Sequence, residues 1–261
     1  MRLPKLALAT EVFRLPLRES VLAAADGGAQ GVRFNARDEL RPGDLTDTGR
    51  RQFLHLLGER DLTVAGLTFP TRRALYDEEQ LDARLAALKS AIEFARQLKS
   101  NILTFRIGRL PADDSKAWAI LVDVLTDLAR HGNQYGVTPC ITPLAEPIDR
   151  LAALLSGIKT GPLGIDLDPA ALAIAGDPPH EVYRRHHPLV AHVLGRDAVK
   201  DLDGSSTEVA VGRGEVEWVE LLPLLAEGDY RGWLTITRTQ GEDRAGDALR
   251  AIKYLSRVVF D

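Results

Sequence analysis

Cysteine is almost missing from this chain, with Cys140 alone among 261 residues. One thiol can close no internal disulfide and supply no CxxC metal or redox motif, so a reducing compartment, the cytoplasm, is the expected location. An excess of either charge is missing too. The 33 Lys and Arg set against 37 Asp and Glu leave a formal charge of -4, too small and too scattered to suit nucleic acid or an anionic membrane surface as a partner. No segment approaches the ~18 consecutive apolar residues that span a bilayer, and transmembrane transport is excluded on that ground. The first residues, MRLPKLALATEVFR, reach Glu11 too soon for the apolar core of a signal peptide and read as a first strand. Glycine is missing just where a dinucleotide-binding turn would need it, since TEVFRLPLRES contains none; that argues against an open Rossmann sheet. Nor is there a Pro- or Ser-rich linker, so residues 1–261 are expected to form one domain.

What the chain does have is alternation. Short runs rich in Val, Ile, Leu, Thr and Phe begin at Lys5, Gly31, Leu62, Asn101, Val137, Pro162, Val190 and Gly232, and stretches with helical periodicity lie between them. Leu81, Leu85, Leu88 and Ile92 form one apolar stripe of the kind a covering helix presents to a sheet. Repeated strand and helix units imply parallel strands joined by right-handed crossovers. Eight such units in a chain of 261 residues are the arithmetic of a closed (β/α)8 TIM barrel.

In such a barrel the chemistry belongs at the carboxyl ends of the strands. The residues predicted to gather there are Thr10, Glu11, Arg33, Asn35, Thr68, Arg72, Arg73, Arg106, Thr142, Asp166, Asp168, Arg196, Asp197, Lys200, Thr237 and Arg238. Acids beside several guanidinium groups suit a small polyhydroxylated ligand carrying a carboxylate or phosphate, which Arg grips with a planar fork. Asp166 and Asp168 alternate with Ile165 and Leu167, so both carboxylates are expected on one face of their strand. Other tempting residues have plainer readings. His186 and His187 are adjacent at a helix end and point in different directions, Cys140 lies among apolar neighbours as a small hydrophobe, and Gly212 and Gly214 make a turn.

The segments GPLGIDLDPAALAIAGDPPHEVYRRHHPLVAHVLGRDAVKD and VGRGEVEWVELLPLLAEGDYRGWLTITRTQGED, with GVRFNARDELRPGDLTDTGRR and LTVAGLTFPTRR, resemble the xylose isomerase-like TIM barrels over essentially the whole chain. This superfamily holds sugar phosphate isomerases and epimerases together with endonuclease IV. The resemblance implies a divalent metal at the strand ends, held by two glutamates, an aspartate and a histidine, that orients sugar oxygens during proton or hydride transfer. Carried across residue by residue, those ligand positions fall on Thr142, Asp168, Leu194 and Thr237. Only Asp168 matches, while Glu146 and His192 are nearby substitutes.

The expectation is therefore a sugar isomerase-like barrel with a degenerate metal site. It would hold no metal or cofactor and would bind a sugar, sugar phosphate or sugar acid at the mouth through Arg33, Asn35, Arg106, Thr142, Asp166, Arg196, Thr237 and Arg238. The alternative keeps catalysis without metal, with Asp168 or Asp197 as base and Lys200 or Arg196 stabilising an enediolate-like charge. Nuclease activity is the least favoured reading, because the chain offers neither a cluster of zinc ligands nor a basic face.

Overall fold

A computed structural model describes residues 4–144 and 147–258. The strands are β1 (Lys5–Ala9), β2 (Gly31–Asn35), β3 (Thr63–Thr68), β4 (Ile102–Phe105), β5 (Thr138–Ile141), β6 (Gly164–Leu167), β7 (Val190–Gly195), β8 (Asp197–Lys200), β9 (Ser206–Val209) and β10 (Trp233–Ile236). The helices are α1 (Leu17–Asp26), α2 (Asp47–Gly58), α3 (Leu81–Gln97), α4 (Lys116–Tyr135), α5 (Ile148–Gly157), α6 (Pro169–Ala175), α7 (Pro179–His186), α8 (Trp218–Glu227) and α9 (Arg244–Arg257).

Eight of the strands close a parallel barrel in the order β1, β10, β7, β6, β5, β4, β3, β2. All eight expected strand segments fall on barrel strands. The first is shorter than expected: extended backbone stops at Ala9, and Thr10–Val12 wind into a single 3-10 turn in which Phe13 N donates to Thr10 O at 3.1 Å. Two elements were not expected. The short helix α6 follows β6, and β8 and β9 form an antiparallel hairpin between β7 and α8. No helix among the described residues is long and apolar enough to cross a membrane.

The strand sequences show why the barrel has two different faces. Side chains alternate along a strand, and on β2, β6, β7 and β10 the outward positions are Val32, Phe34, Ile165, Leu167, Val193, Leu234 and Ile236, all part of one buried apolar cluster with the helices. The intervening positions are mostly polar: Arg33, Asn35, Asp166, Asp168, His192, Thr235 and Thr237 are all buried, with Leu194 the apolar exception on β7. The apolar core therefore lies between barrel and helices, and the lumen carries the polar groups. Register slips by one residue where Arg33 meets β3 and again where Asp166 meets β7. Such bulges re-aim side chains beside a site.

Local signals set the helix ends. Thr46 and Ser115 cap α2 and α4 by accepting from Gly49 N and Trp118 N, each at 3.1 Å. Gly136, with φ 66°, closes α4 in the left-handed conformation that glycine adopts without strain.

Candidate functional site

At the carboxyl end of the strands the lumen opens into a cavity of about 410 Å³. Arg33 from β2, Thr104 from β4, Asp166 from β6 and Leu194 from β7 reach its wall, as do Arg106, Thr142, Arg196 and Thr237 just beyond the strand ends. Glu11, Thr68, Thr71 and Thr239 complete a rim rich in hydroxyls.

Arg33 is the group hardest to explain without a ligand. Its side chain lines the cavity in a residue only 6% exposed, and Nε has no hydrogen-bond partner among the described residues. Burial lowers this guanidinium from its ordinary pKa, although the fields of Asp166 and Glu11 raise it. A buried cation with no carboxylate in direct contact is costly. The Thr104 hydroxyl, in the same wall, is likewise buried and unpartnered.

Beneath the floor runs a chain of hydrogen bonds. Thr142 Oγ1 donates to Asp166 Oδ2 at 2.6 Å, Asp166 Oδ1 meets His192 Nδ1 at 2.6 Å, and His192 Nε2 meets Thr235 Oγ1 at 2.7 Å. Burial alone would raise the Asp166 carboxyl, but His192, Arg33 and Thr142 together hold it below the usual carboxylate range. Both nitrogens of His192 are thus engaged inside the lumen, and its side chain is fully buried. A ladder of this kind fixes Asp166 in place while leaving its charge facing Arg33.

Arg196 also lines the cavity. Its Nη1 lies 2.5 Å from Asp168 Oδ2, and its Nε donates to Glu208 Oε1 at 3.0 Å. Burial would lower Arg196, and the two carboxylates more than reverse that. Asp168 also caps α6, accepting from Ala171 N at 3.3 Å. Glu11, exposed at the rim, accepts from Asn35 Nδ2 at 2.7 Å.

Of the residues expected at the mouth, Arg33, Arg106, Thr142, Asp166, Arg196 and Thr237 line the cavity together. Asn35 stands behind Glu11, and Asp168 behind Arg196. Arg238 is turned aside, its Nε 3.1 Å from Asp247. Asp197 lies at the same end of the barrel but outside the cavity wall, with Ala198 N, Gly212 N, Val216 N and Trp218 Nε1 all donating to its carboxylate. Lys200 is exposed on the hairpin, where its backbone N–H donates to Glu215 Oε1 at 2.8 Å. Glu146 lies outside the described residues. Thr104, Thr71, Thr239 and Glu208 were missed; Thr104 could have been found, because it stands two residues before Arg106 and so shares its face.

A roomier groove of about 570 Å³ runs along α4 and α5 on the outside of the barrel, but its Arg150 is already paired with Asp113 at 2.5 Å. Among the described residues, the only group of three or more His, Cys, Asp or Glu side chains close enough to share an ion is His180, Glu217 and Glu220 near the starts of α7 and α8, outside the cavity.

Residues 21–256 match the xylose isomerase-like TIM barrel family. No curated protein gives a sequence match to the chain. Among solved structures, the xylose isomerase domain protein from Planctomyces limnophilus is similar with a TM-score of 0.84 at 23% identity, covering 99% of this chain and 98% of that one. D-psicose 3-epimerase from Clostridium cellulolyticum H10, solved with D-tagatose, gives 0.77 at 14% identity, with 98% and 99% covered. The probable 3-DHS dehydratase AsbF from Bacillus anthracis gives 0.78 at 17%, with 97% and 98% covered. At these identities the likeness is one of fold.

Proposed function

Because the chain belongs to the xylose isomerase-like TIM barrel family, whose sugar isomerase and epimerase members work at the barrel mouth, we propose that it binds a sugar acid or sugar phosphate there without a divalent metal. The observation that carries this reading is Arg33, a buried guanidinium aimed into a cavity of hydroxyls with its Nε unpaired. An anionic oxygen supplies the missing partner, and the threonines at 68, 71, 104, 237 and 239 offer hydroxyls to a polyol.

The family's metal does not fit the described residues at the expected ligand positions. Leu194 has no ligand atom, Thr142 and Thr237 offer only hydroxyl oxygens, the Thr142 proton is committed to Asp166, and Asp168 is ion-paired with Arg196. Guanidinium groups lining the same cavity also oppose a dication. On this reading the metal and, with it, the ancestral reaction have been lost, and the chain acts as a binding protein, a pseudoenzyme.

The test is calorimetry with matched neutral sugars, sugar acids and sugar phosphates. Anions should bind better, and Arg33→Met should weaken them by roughly 10- to 150-fold, the worth of a charge-assisted hydrogen bond. Neutral sugars should be little affected. Equal affinity of wild type and Arg33→Met for every anion would end this reading.

A metal-independent isomerase or epimerase is the second reading, and one observation favours it: Glu11 is an exposed carboxylate at the rim, fixed by Asn35. In that case deuterium from solvent would wash into a bound sugar acid at carbon, and Glu11→Gln would stop it.

A further inference from the structure

Arg33, Arg106 and Arg196 line the mouth cavity, and among the described residues only Arg196 has its charge met at contact, by Asp168 and Glu208. Arg33 keeps Nε unpartnered. Arg106, exposed just past β4, has no side-chain hydrogen bond or ion pair among the described residues. Its backbone is nevertheless fixed, since Thr71 Oγ1 donates to Arg106 O at 2.5 Å and Leu75 N donates to Ile107 O at 2.9 Å. The two unmet charges stand at different depths. Arg33 pairs with Gly66 across β2 and β3, and Thr68 pairs with Thr104 across β3 and β4, so Arg106 is four residues nearer the mouth. At ~3.3 Å per residue that is about 13 Å along the strand direction. The cavity wall also offers lone pairs. The Thr71 proton is spent on Arg106 O and the Thr142 proton on Asp166 Oδ2 at 2.6 Å, so both hydroxyl oxygens are left to accept from ligand hydroxyls.

We infer that the ligand carries an anionic group at each end: a phosphorylated sugar acid, its carboxylate on Arg33 in the lumen and its phosphate on Arg106 at the rim. The inference rests on anion binding at the mouth, as proposed above, and adds a second charge with its place. Charge decides which end goes where. A phosphate dianion set against Arg33 would bring two negative charges near the Asp166 carboxylate, which His192, Arg33 and Thr142 keep ionised. Like charges in a buried site repel strongly, and a carboxylate brings only one. At the rim a dianion keeps part of its water. The exposed acid of that rim, Glu11, follows β1, three strands around the barrel from the β4 that Arg106 follows.

Gluconate, glucose 6-phosphate and 6-phosphogluconate separate the two charges on six carbons. Each is titrated by calorimetry into wild type, Arg33→Met, Arg106→Met and the double variant. Wild type should bind 6-phosphogluconate at least about tenfold tighter than either singly substituted probe, the low end for a charge-assisted hydrogen bond, as suits an exposed arginine. Arg106→Met should bring 6-phosphogluconate down to about the affinity of gluconate and leave gluconate itself unchanged. Arg33→Met should weaken both sugar acids alike, and the two losses should add in the double variant, as they do for anchors that share no partner. If 6-phosphogluconate binds wild type no tighter than gluconate does, or if Arg106→Met weakens gluconate as much as 6-phosphogluconate, both arginines serve one anion. Either result overturns the two-ended ligand and leaves the anion-binding reading standing. Affinities that Arg33→Met leaves unchanged for all three probes overturn both.

Discussion

Asp168 and Asp197 look alike in the sequence, each an acid closing an apolar strand, in LDP and GRD. Their surroundings separate them. Asp168 has one amide and one guanidinium for partners, and burial raises its carboxyl above the usual range even with Arg196 beside it. Asp197 is wholly buried and receives three backbone amides and the Trp218 indole, donors that tie the start of the hairpin to the start of α8. A carboxylate so fully satisfied has no lone pair to spare for a substrate proton, so its role is structural. Asp197→Ala should therefore cost at least about 3 kcal/mol of unfolding free energy, since each buried donor left unmatched loses about 1 to 3 kcal/mol. Urea denaturation checks this, and a change below about 1 kcal/mol would return Asp197 to the list of reactive groups. Residue positions at the mouth were legible because a strand alternates with period two. Partners were not, because Glu208, Ala171 and Trp218 come from segments whose approach only the folded chain determines.

The eight strands and most of the helices were readable from hydrophobic period alone, whereas the two unexpected elements were announced by turn chemistry. Asp168-Pro169 is a capping residue followed by proline at the first helical position, and α6 follows it directly, closing at Gly176 with φ 84°. Asp203-Gly204 marks the hairpin turn, with Gly204 at φ 84°. Glu208 was missed because this stretch reads as a polar loop until the hairpin is recognised. Once formed, the hairpin brings one carboxylate over the mouth, and that carboxylate holds both Arg196 and the chain leaving β10. In Glu208→Ala the Thr239 and Gln240 amides lose their acceptor. Hydrogen exchange at those two positions should speed up by at least about tenfold, the equivalent of about 1.4 kcal/mol of local opening, while the amides of α3, far along the chain, stay protected. Unchanged exchange at 239 and 240 would mean that other contacts hold the loop.

Closure of the barrel is a property no segment carries. β1 pairs with β2 on one side and with β10 on the other, so Ala7 lies between Gly31 and Thr235, and the first strand of the chain joins the last. Counting eight strand and helix units predicted that junction, because right-handed crossovers of uniform hand carry a twisted sheet around until its edges meet. The mouth depends on it: Glu11 follows β1, and Thr237 and Thr239 follow β10, so three residues of the cavity wall are brought together by that seam. Proline at Ala7 removes a ladder N–H and fixes φ where the strand is extended, an insult worth about 3 kcal/mol or more in regular structure. Ala7→Pro should lower stability by at least that amount and expose the inner edges of β2 and β10. Open parallel edges template further pairing, so the variant should aggregate on refolding at concentrations where wild type recovers fully. Light scattering during dilution from urea reads the second effect and the unfolding midpoint the first. A variant that refolded cleanly with wild-type stability would show that the seam between β1 and β10 contributes little, and that the cavity wall is held by its loops instead.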